Sequence, residues 1–179
     1  ALAAHDRAIE LDSYSAFAHT NRGVVLDTLG RYREALAAYD RAIELDSRDA
    51  RFHDNRGVVL GKLGRYREAL AAHDRAIELD SYSAFAHTNR GVVLNQLERY
   101  QEALEAYDRA IELDSRDANF HYNRGIVLVK LGRDREALSA FDRAVELNPE
   151  DGLFRFHAIE LRIFLNIPIL GLPLKKLFF

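Results

Sequence analysis

Imidazole groups hold most of the metal-binding capacity in this sequence, which has seven histidines and no cysteine in 179 residues. His19, His53, His87 and His121 recur at intervals of 34. Zinc needs three or four ligands converging on one ion, with Zn–N bonds of about 2 Å. Equivalent positions on packed helices stand about 10 Å apart, too far to share an ion. His53 and His73 could approach across a helix pair, but such a site lacks a third ligand, and no carboxylate lies at a fixed spacing. The histidines therefore read as half-buried packing residues, and no metal is expected. The charged pair Asp-Arg recurs from Asp6 through Asp40, Asp74 and Asp108 to Asp142. Catalytic sites are rarely copied so often, so these read as surface or packing charges. There is no glycine-rich phosphate loop, no nucleophile elbow and no thiol. No catalytic residue and no cofactor is expected, and the chain reads as a non-enzyme.

The elements that carry these residues are themselves periodic. Residues 1–26 return letter for letter at 69–94, and Arg-Gly recurs at Arg22, Arg56, Arg90 and Arg124, 34 residues apart. Self-similarity at this period marks stacked supersecondary units. The expected repeats are 16–49, 50–83, 84–117 and 118–151, preceded at 1–15 by the second helix of a truncated repeat. Within 16–49, Val25, Leu26 and Leu29 form one helical stripe, and Ala35, Leu36, Tyr39, Ala42 and Ile43 another. Gly30 between them suits the left-handed residue that ends a helix. Asp46-Ser47-Arg48-Asp49 supplies a polar turn with helix N-cap candidates. Each unit reads as helix, turn, helix, turn, and neither helix can bury its stripe without neighbours.

This spacing resembles the tetratricopeptide repeat, written Trp-x2-Leu-Gly-x2-Tyr, then Ala-x3-Phe, then Ala and Pro. Here the sequence runs His19-x2-Arg22-Gly23-x2-Leu26, then Ala35-x3-Tyr39 and Ala42, with Ser47 where the family has Pro. The match extends over residues 1–151, with Asn148-Pro149 restoring the proline in the last unit. Arg22, Arg56, Arg90 and Arg124 stand where the family has leucine, and Asp40 and its repeats are their expected partners. Glu98 in place of the turn glycine, and Asp134 in place of a tyrosine, predict weaker local packing.

The resemblance implies an all-α, right-handed α-solenoid of stacked antiparallel helix pairs whose first helices line a concave groove. It places four residue sets in that groove. They are Phe17, Thr20, Asn21, Val24, Asp27 and Thr28; Arg51, Asp54, Asn55, Val58, Gly61 and Lys62; Phe85, Thr88, Asn89, Val92, Asn95 and Gln96; and Asn119, Tyr122, Asn123, Ile126, Val129 and Lys130. Two ladders emerge: Asn21, Asn55, Asn89, Asn123 and Val24, Val58, Val92, Ile126. An asparagine amide both donates and accepts, as a peptide bond does, so the row could grip an extended chain by its backbone. A similar ladder lines the repeat arm of O-GlcNAc transferases. The alternative is that these asparagines bond within their own helices. Thr20, Asp54, Thr88 and Tyr122 do not match the carboxylate clamp of chaperone-cofactor repeats, and the groove charges nearly balance.

Lys and Arg total 25 against 28 Asp and Glu, a net charge of −3, which argues against nucleic acid as the main partner. The cysteine-free composition suits a reducing compartment such as the cytoplasm. No signal peptide is visible, and residue 1 is not Met, which reads as a start inside a longer protein. After Pro149 the composition shifts. Residues 152–166 predict a capping helix, and IPILGLPLKKLFF comes after it. The uncharged run 163–174 is 12 residues, interrupted by Pro168, Gly171 and Pro173, whereas a membrane span needs about 20. The segment 166–179 is expected to pack on protein, in cis or in trans, and to favour self-association. The predicted function is a protein-interaction scaffold binding a peptide or partner segment. A self-assembly module and the regulatory arm of a larger protein are the alternatives.

Overall fold

Every second polar turn hands the chain to a helix through a side-chain cap. Ser15 and Ser83 accept from the N–H groups of Ala18 and Ala86, while Asp49, Asp117 and Asp151 accept from Arg51, Asn119 and Leu153. The computed structural model describes residues 2, 7, 9, 10 and 12–168. Helices α1 (Ala16–Thr28), α3 (Ala50–Lys62), α5 (Ala84–Gln96), α7 (Ala118–Lys130) and α9 (Gly152–Phe164) start at these caps. Between them lie α2 (Tyr32–Leu45), α4 (Tyr66–Leu79), α6 (Tyr100–Leu113) and α8 (Asp134–Leu147). No strand occurs among the described residues, and the fold is all-α.

Each turn inside a pair is the same two-bond stop. At the first, Gly30 N–H donates to Asp27 and Arg31 N–H reaches back to Leu26 at 2.9 Å. The residue between must be left-handed, and Gly30, Gly64 and Gly132 sit near φ +70° (72°, 73° and 70°). In the third repeat Glu98 takes this place at φ 59°. The side chain expected to weaken this turn thus occupies the conformation L residues avoid.

The pair is then closed by a ring lying on a glycine. A β-carbon on Gly23 would stand 2.6 Å from the Tyr39 ring, and one on Gly57 the same distance from His73. Gly91 meets Tyr107 and Gly125 meets Phe141 in the same way. Around these contacts the apolar stripes merge. By its contacts the chain divides into two compact units, Ala1–Leu113 and Asp114–Phe179. In the first, Leu26, Ala35, Tyr39, Val59, Leu60, Ala69 and Ala72 belong to one core; α2 packs on α3 and α4 on α5, so successive pairs share their apolar faces. In the second, α8 packs on both α7 and α9, burying Phe120, Val127, Leu128, Phe141, Phe154 and Ala158.

Arginines at the family's leucine position pair with the preceding second helix. Arg56 Nε lies 2.6 Å from Asp40, and Arg90 Nε 2.6 Å from Asp74. In the second unit Arg162, from a different position in its helix, reaches Asp142 at 2.6 Å. The histidine ladder holds the loops. Nε2 of His19, His53, His87 and His121 lies 3.2, 3.0, 3.2 and 3.0 Å from the carbonyl oxygens of Ser13, Ser47, Ser81 and Ser115. A carbonyl only accepts, so Nε2 carries the hydrogen, and each ring fastens the turn six residues before it.

These local contacts have two measurable consequences. Glu98→Gly should raise unfolding free energy by about 0.5–1 kcal/mol, because relief of the left-handed strain exceeds the added freedom of the unfolded chain; denaturant titration measures it, and no gain would contradict the strain argument. Burial is the main influence lowering the His87 pKa below the ordinary histidine value, with Arg109 and Arg90 adding to it against the Ser81 bond. The unfolded chain then binds this proton more tightly, so stability should fall as pH drops through the ordinary histidine range. Thermal melts between pH 7.5 and 5.5 should show that slope, and His87→Gln should flatten it.

Candidate functional site

The first helices bury one face against their partners and present the other outward, where the expected ligand residues lie. Asn21, Val24 and Val92 are exposed; Asp54, Asn55, Val58, Asn89, Tyr122, Asn123 and Ile126 are half-buried. Thr20 and Thr88 differ: each is 8% exposed. Their hydroxyls donate to Ala16 and Ala84 in their own helices, at 3.0 and 2.9 Å. They lie under the face and offer it no free hydroxyl.

The asparagines divide into two kinds. Asn89 Nδ2 donates to Asp54 Oδ2 at 3.0 Å, from one repeat to the next. Asp54 Oδ1 in turn accepts from Nδ1 of the buried His73 at 2.7 Å. The side-chain amides of Asn21, Asn55 and Asn123 have no hydrogen-bond partner among the described residues. Within the first unit, Asn55 and Asn89 differ through the residue that precedes the asparagine position in the repeat before. Before Asn55 it is Thr20, whose hydroxyl turns into its own helix. Where it is Asp54, it reaches across and holds Asn89.

The second unit repeats the reaching arrangement with other chemistry. His157, which stands 34 residues after Asn123, has Nδ1 at 3.1 Å from the Leu153 carbonyl and 3.3 Å from the Tyr122 hydroxyl. The carbonyl fixes the hydrogen on Nδ1, which the two oxygens share. Tyr122 stacks within 4.8 Å of Phe154 and 5.7 Å of Phe141, and burial, then Asp151, raises its phenol pKa.

In the first unit Val58, Asn89 and Val92 meet around a cavity of about 290 Å³, with Gly57, Gly61, Lys62, Tyr66, His73, Val93 and Gln96. Gly61 helps to open it, since a β-carbon there would meet nothing within 4 Å. In the second unit Ile126 lines a cavity of about 410 Å³ with Val129, Lys130, Asp134, Phe141, His157, Glu160, Leu161 and Phe164. The charges on these first helices pair internally. Lys62 Nζ binds both Asp27 oxygens at 2.7 and 2.8 Å, and Arg51 forks onto Asp49 while lying 5.3 Å over the Phe17 ring. Phe17 meets Phe52 edge-on at 5.6 Å.

Sequence reasoning missed the His73–Asp54–Asn89 chain. Its signal was visible: His73 departs from Tyr39, Tyr107 and Phe141, Asp54 departs from Thr20 and Thr88, and both occur in the same repeat. No group of three or more potential metal ligands occurs among the described residues, and none of their helices is long and apolar enough to cross a membrane.

Known families and solved structures resemble this chain. The family described as TPR repeat matches residues 28–64 and 93–132, and tetratricopeptide repeat families match 50–82 and 118–151. No functionally curated protein sequence matches. Among solved structures, YrrB, described as a TPR protein with an unusual peptide-binding site, is 29% identical and superposes with a TM-score of 0.75 over 93% of this chain and 86% of its own. PilF of Pseudomonas aeruginosa shares the fold at 24% identity and a TM-score of 0.81, covering 90% of this chain and 74% of that one. MamA of Desulfovibrio magneticus RS-1 does so at 22% identity and 0.77, covering 84% and 85%. The repeats, their ring-on-glycine pairs and these matches agree, and the chain belongs to the tetratricopeptide repeat family, with its helical-repeat solenoid fold.

Proposed function

We propose that each unit of this protein-interaction scaffold holds an extended partner segment against its first-helix face. The free amides of Asn21, Asn55 and Asn123 take the partner's backbone; Val24, Val58, Val92 and Ile126 take its apolar side chains. Asp54 and Tyr122 act as braces that fix Asn89 and His157, and Thr20 leaves Asn55 unbraced. The observation carrying this reading is that three amides at one repeat position lack a hydrogen-bond partner among the described residues, each beside an apolar residue three positions later. Each of these amides reaches solvent with its donor and acceptor free of internal bonds among the described residues, and an extended peptide offers both a donor and an acceptor. The internal pairing of Asp27 with Lys62 and of Asp49 with Arg51 leaves little net charge to select an acidic or basic ligand. The peptide-binding site of YrrB, a protein of similar fold, supports the same class of ligand. The role is that of a scaffold rather than an enzyme, with a protein or peptide as partner instead of nucleic acid.

Peptides selected from a random display library against the chain test this. Asn21→Ala with Asn55→Ala should weaken the selected peptides about tenfold or more, at roughly 0.5–1.5 kcal/mol per lost hydrogen bond, with helicity unchanged. Backbone N-methylation of the peptide should weaken binding similarly. Undiminished binding to the double variant would remove the amides from the site.

A further inference from the structure

Two residues of the second repeat depart from their counterparts, and both lose volume at one place. His73 stands where the adjoining repeats have Tyr39 and Tyr107, and Gly61 where they have Asp27 and Asn95. In the first repeat these two positions lie close together: after burial, the Asp27 charge raises the Tyr39 phenol pKa. In the second repeat a shorter ring meets a helix with no side chain. The cavity of about 290 Å³ is lined by both His73 and Gly61. A dry cavity of about 150 Å³ already admits benzene, so this one has room for a substituted ring.

The two wall residues tied to Asp54 present acceptors. Asp54 takes a hydrogen from Nδ1 of His73 at 2.7 Å and another from Nδ2 of Asn89 at 3.0 Å. The neutral imidazole is then left with Nε2 as an acceptor, and the amide with Oδ1. Neither atom has a hydrogen-bond partner among the described residues. His73 is only 1% exposed and lines the cavity, so the little of its ring that is open faces this space. An acceptor with so little water around it rewards a ligand that brings a donor. The wall beside it is apolar, formed by Val58, Val92 and Val93 with the Tyr66 ring. Lys62, also in the wall, is engaged by Asp27 at 2.7 and 2.8 Å and so is not free to hold an anion.

We propose that this cavity is a subsite for a neutral phenol, the tyrosine side chain of a partner segment. The ring lies against Val58, Val92 and Val93, and the hydroxyl donates to Nε2 of His73. The partner thereby supplies the kind of ring and hydroxyl that the second repeat lacks. A serine hydroxyl would leave the apolar wall unfilled, and an ammonium would have to shed its water among valines. Asp54 is a positioning residue, since it keeps the hydrogen on Nδ1 and leaves Nε2 bare. That the phenol arrives on a partner segment rests on the function proposed above; the preference of the cavity for a ring bearing a donor does not.

The probe is p-cresol, which has no peptide backbone and so is read apart from the amides of Asn21 and Asn55. Titrations use the full chain in dilute solution, because the segment 166–179 is expected to favour self-association and 169–179 lies outside the described residues. p-Cresol should bind saturably at about millimolar concentration. It should bind about fivefold or more tightly than toluene and should move the nitrogen NMR signal of His73 Nε2. Two variants close the cavity without disturbing the fold. His73→Tyr restores the ring that already rests on Gly23 and Gly91 in the adjoining repeats. Gly61→Leu enters open space, because a β-carbon there meets nothing within 4 Å, and removes a glycine from a helix. Both should keep the helicity and thermal midpoint and weaken p-cresol about tenfold or more. No saturable binding, equal binding of p-cresol and toluene, an unmoved Nε2 signal, or undiminished binding in either variant would overturn the subsite. If p-cresol behaves as expected while the Asn21→Ala, Asn55→Ala chain still holds its peptides, the subsite stands and only the backbone-gripping role of the amides falls.

Discussion

A ring resting on bare backbone sets the spacing of this molecule. Where Tyr39, His73, Tyr107 or Phe141 sits, even one methyl on the opposite glycine would come well inside contact distance. The two helices of a pair are thereby locked at close approach, and the alanines of the second helix, fully buried at Ala35, Ala69, Ala103 and Ala137, complete the seam. The other contacts depend on this distance. The arginine–aspartate bridges, the imidazole-fastened turns and the cross-repeat hydrogen bonds each require the pairs to stand at a fixed step.

His73 shows how far that constraint can bend. A smaller, polar ring replaces a tyrosine at the tightest point and is only 1% exposed. Its nitrogen is satisfied by Asp54, which reaches on to Asn89. A polar core position is thus tied to the ligand-facing surface through two hydrogen bonds. The neighbouring absence of a side chain at Gly61 turns that tie into the wall of a cavity. Packing and surface chemistry here are one network, and such networks retain their value only while every member is satisfied.

Much of this was legible in the residues. The 34-residue interval, the left-handed turn glycines and the small residues at the seams reflect local rules about backbone conformation and side-chain volume, and they pointed to the helix pairs. The pairing of Arg56 with Asp40 was also readable, because a cation at an apolar position must find a carboxylate. The fate of individual polar groups was not. A buried threonine can serve its own helix or its neighbour, and Thr20 chose its own helix because Ala16 offers a carbonyl one turn back. Whether an asparagine is braced or free depends on a residue 35 positions earlier in the chain, as Asn89 and Asp54 show. No periodicity argument on one strip of sequence weighs that distance. The histidines illustrate the same limit: their burial was foreseeable from composition, but their grip on a carbonyl six residues upstream needed the turn geometry.

In the first unit the idle amide of Asn55 is followed one repeat later by Asn89, which Asp54 holds. A partner sliding along such a surface by one helix pair would find a tethered amide where it needs an idle one. In the sequence the residue before the asparagine alternates as Thr20, Asp54 and Thr88, so threonine returns after 68 residues. Copying the sequence in blocks of 68 residues, as 1–26 and 69–94 record, preserves that rhythm, whereas copying a single 34-residue unit would break it.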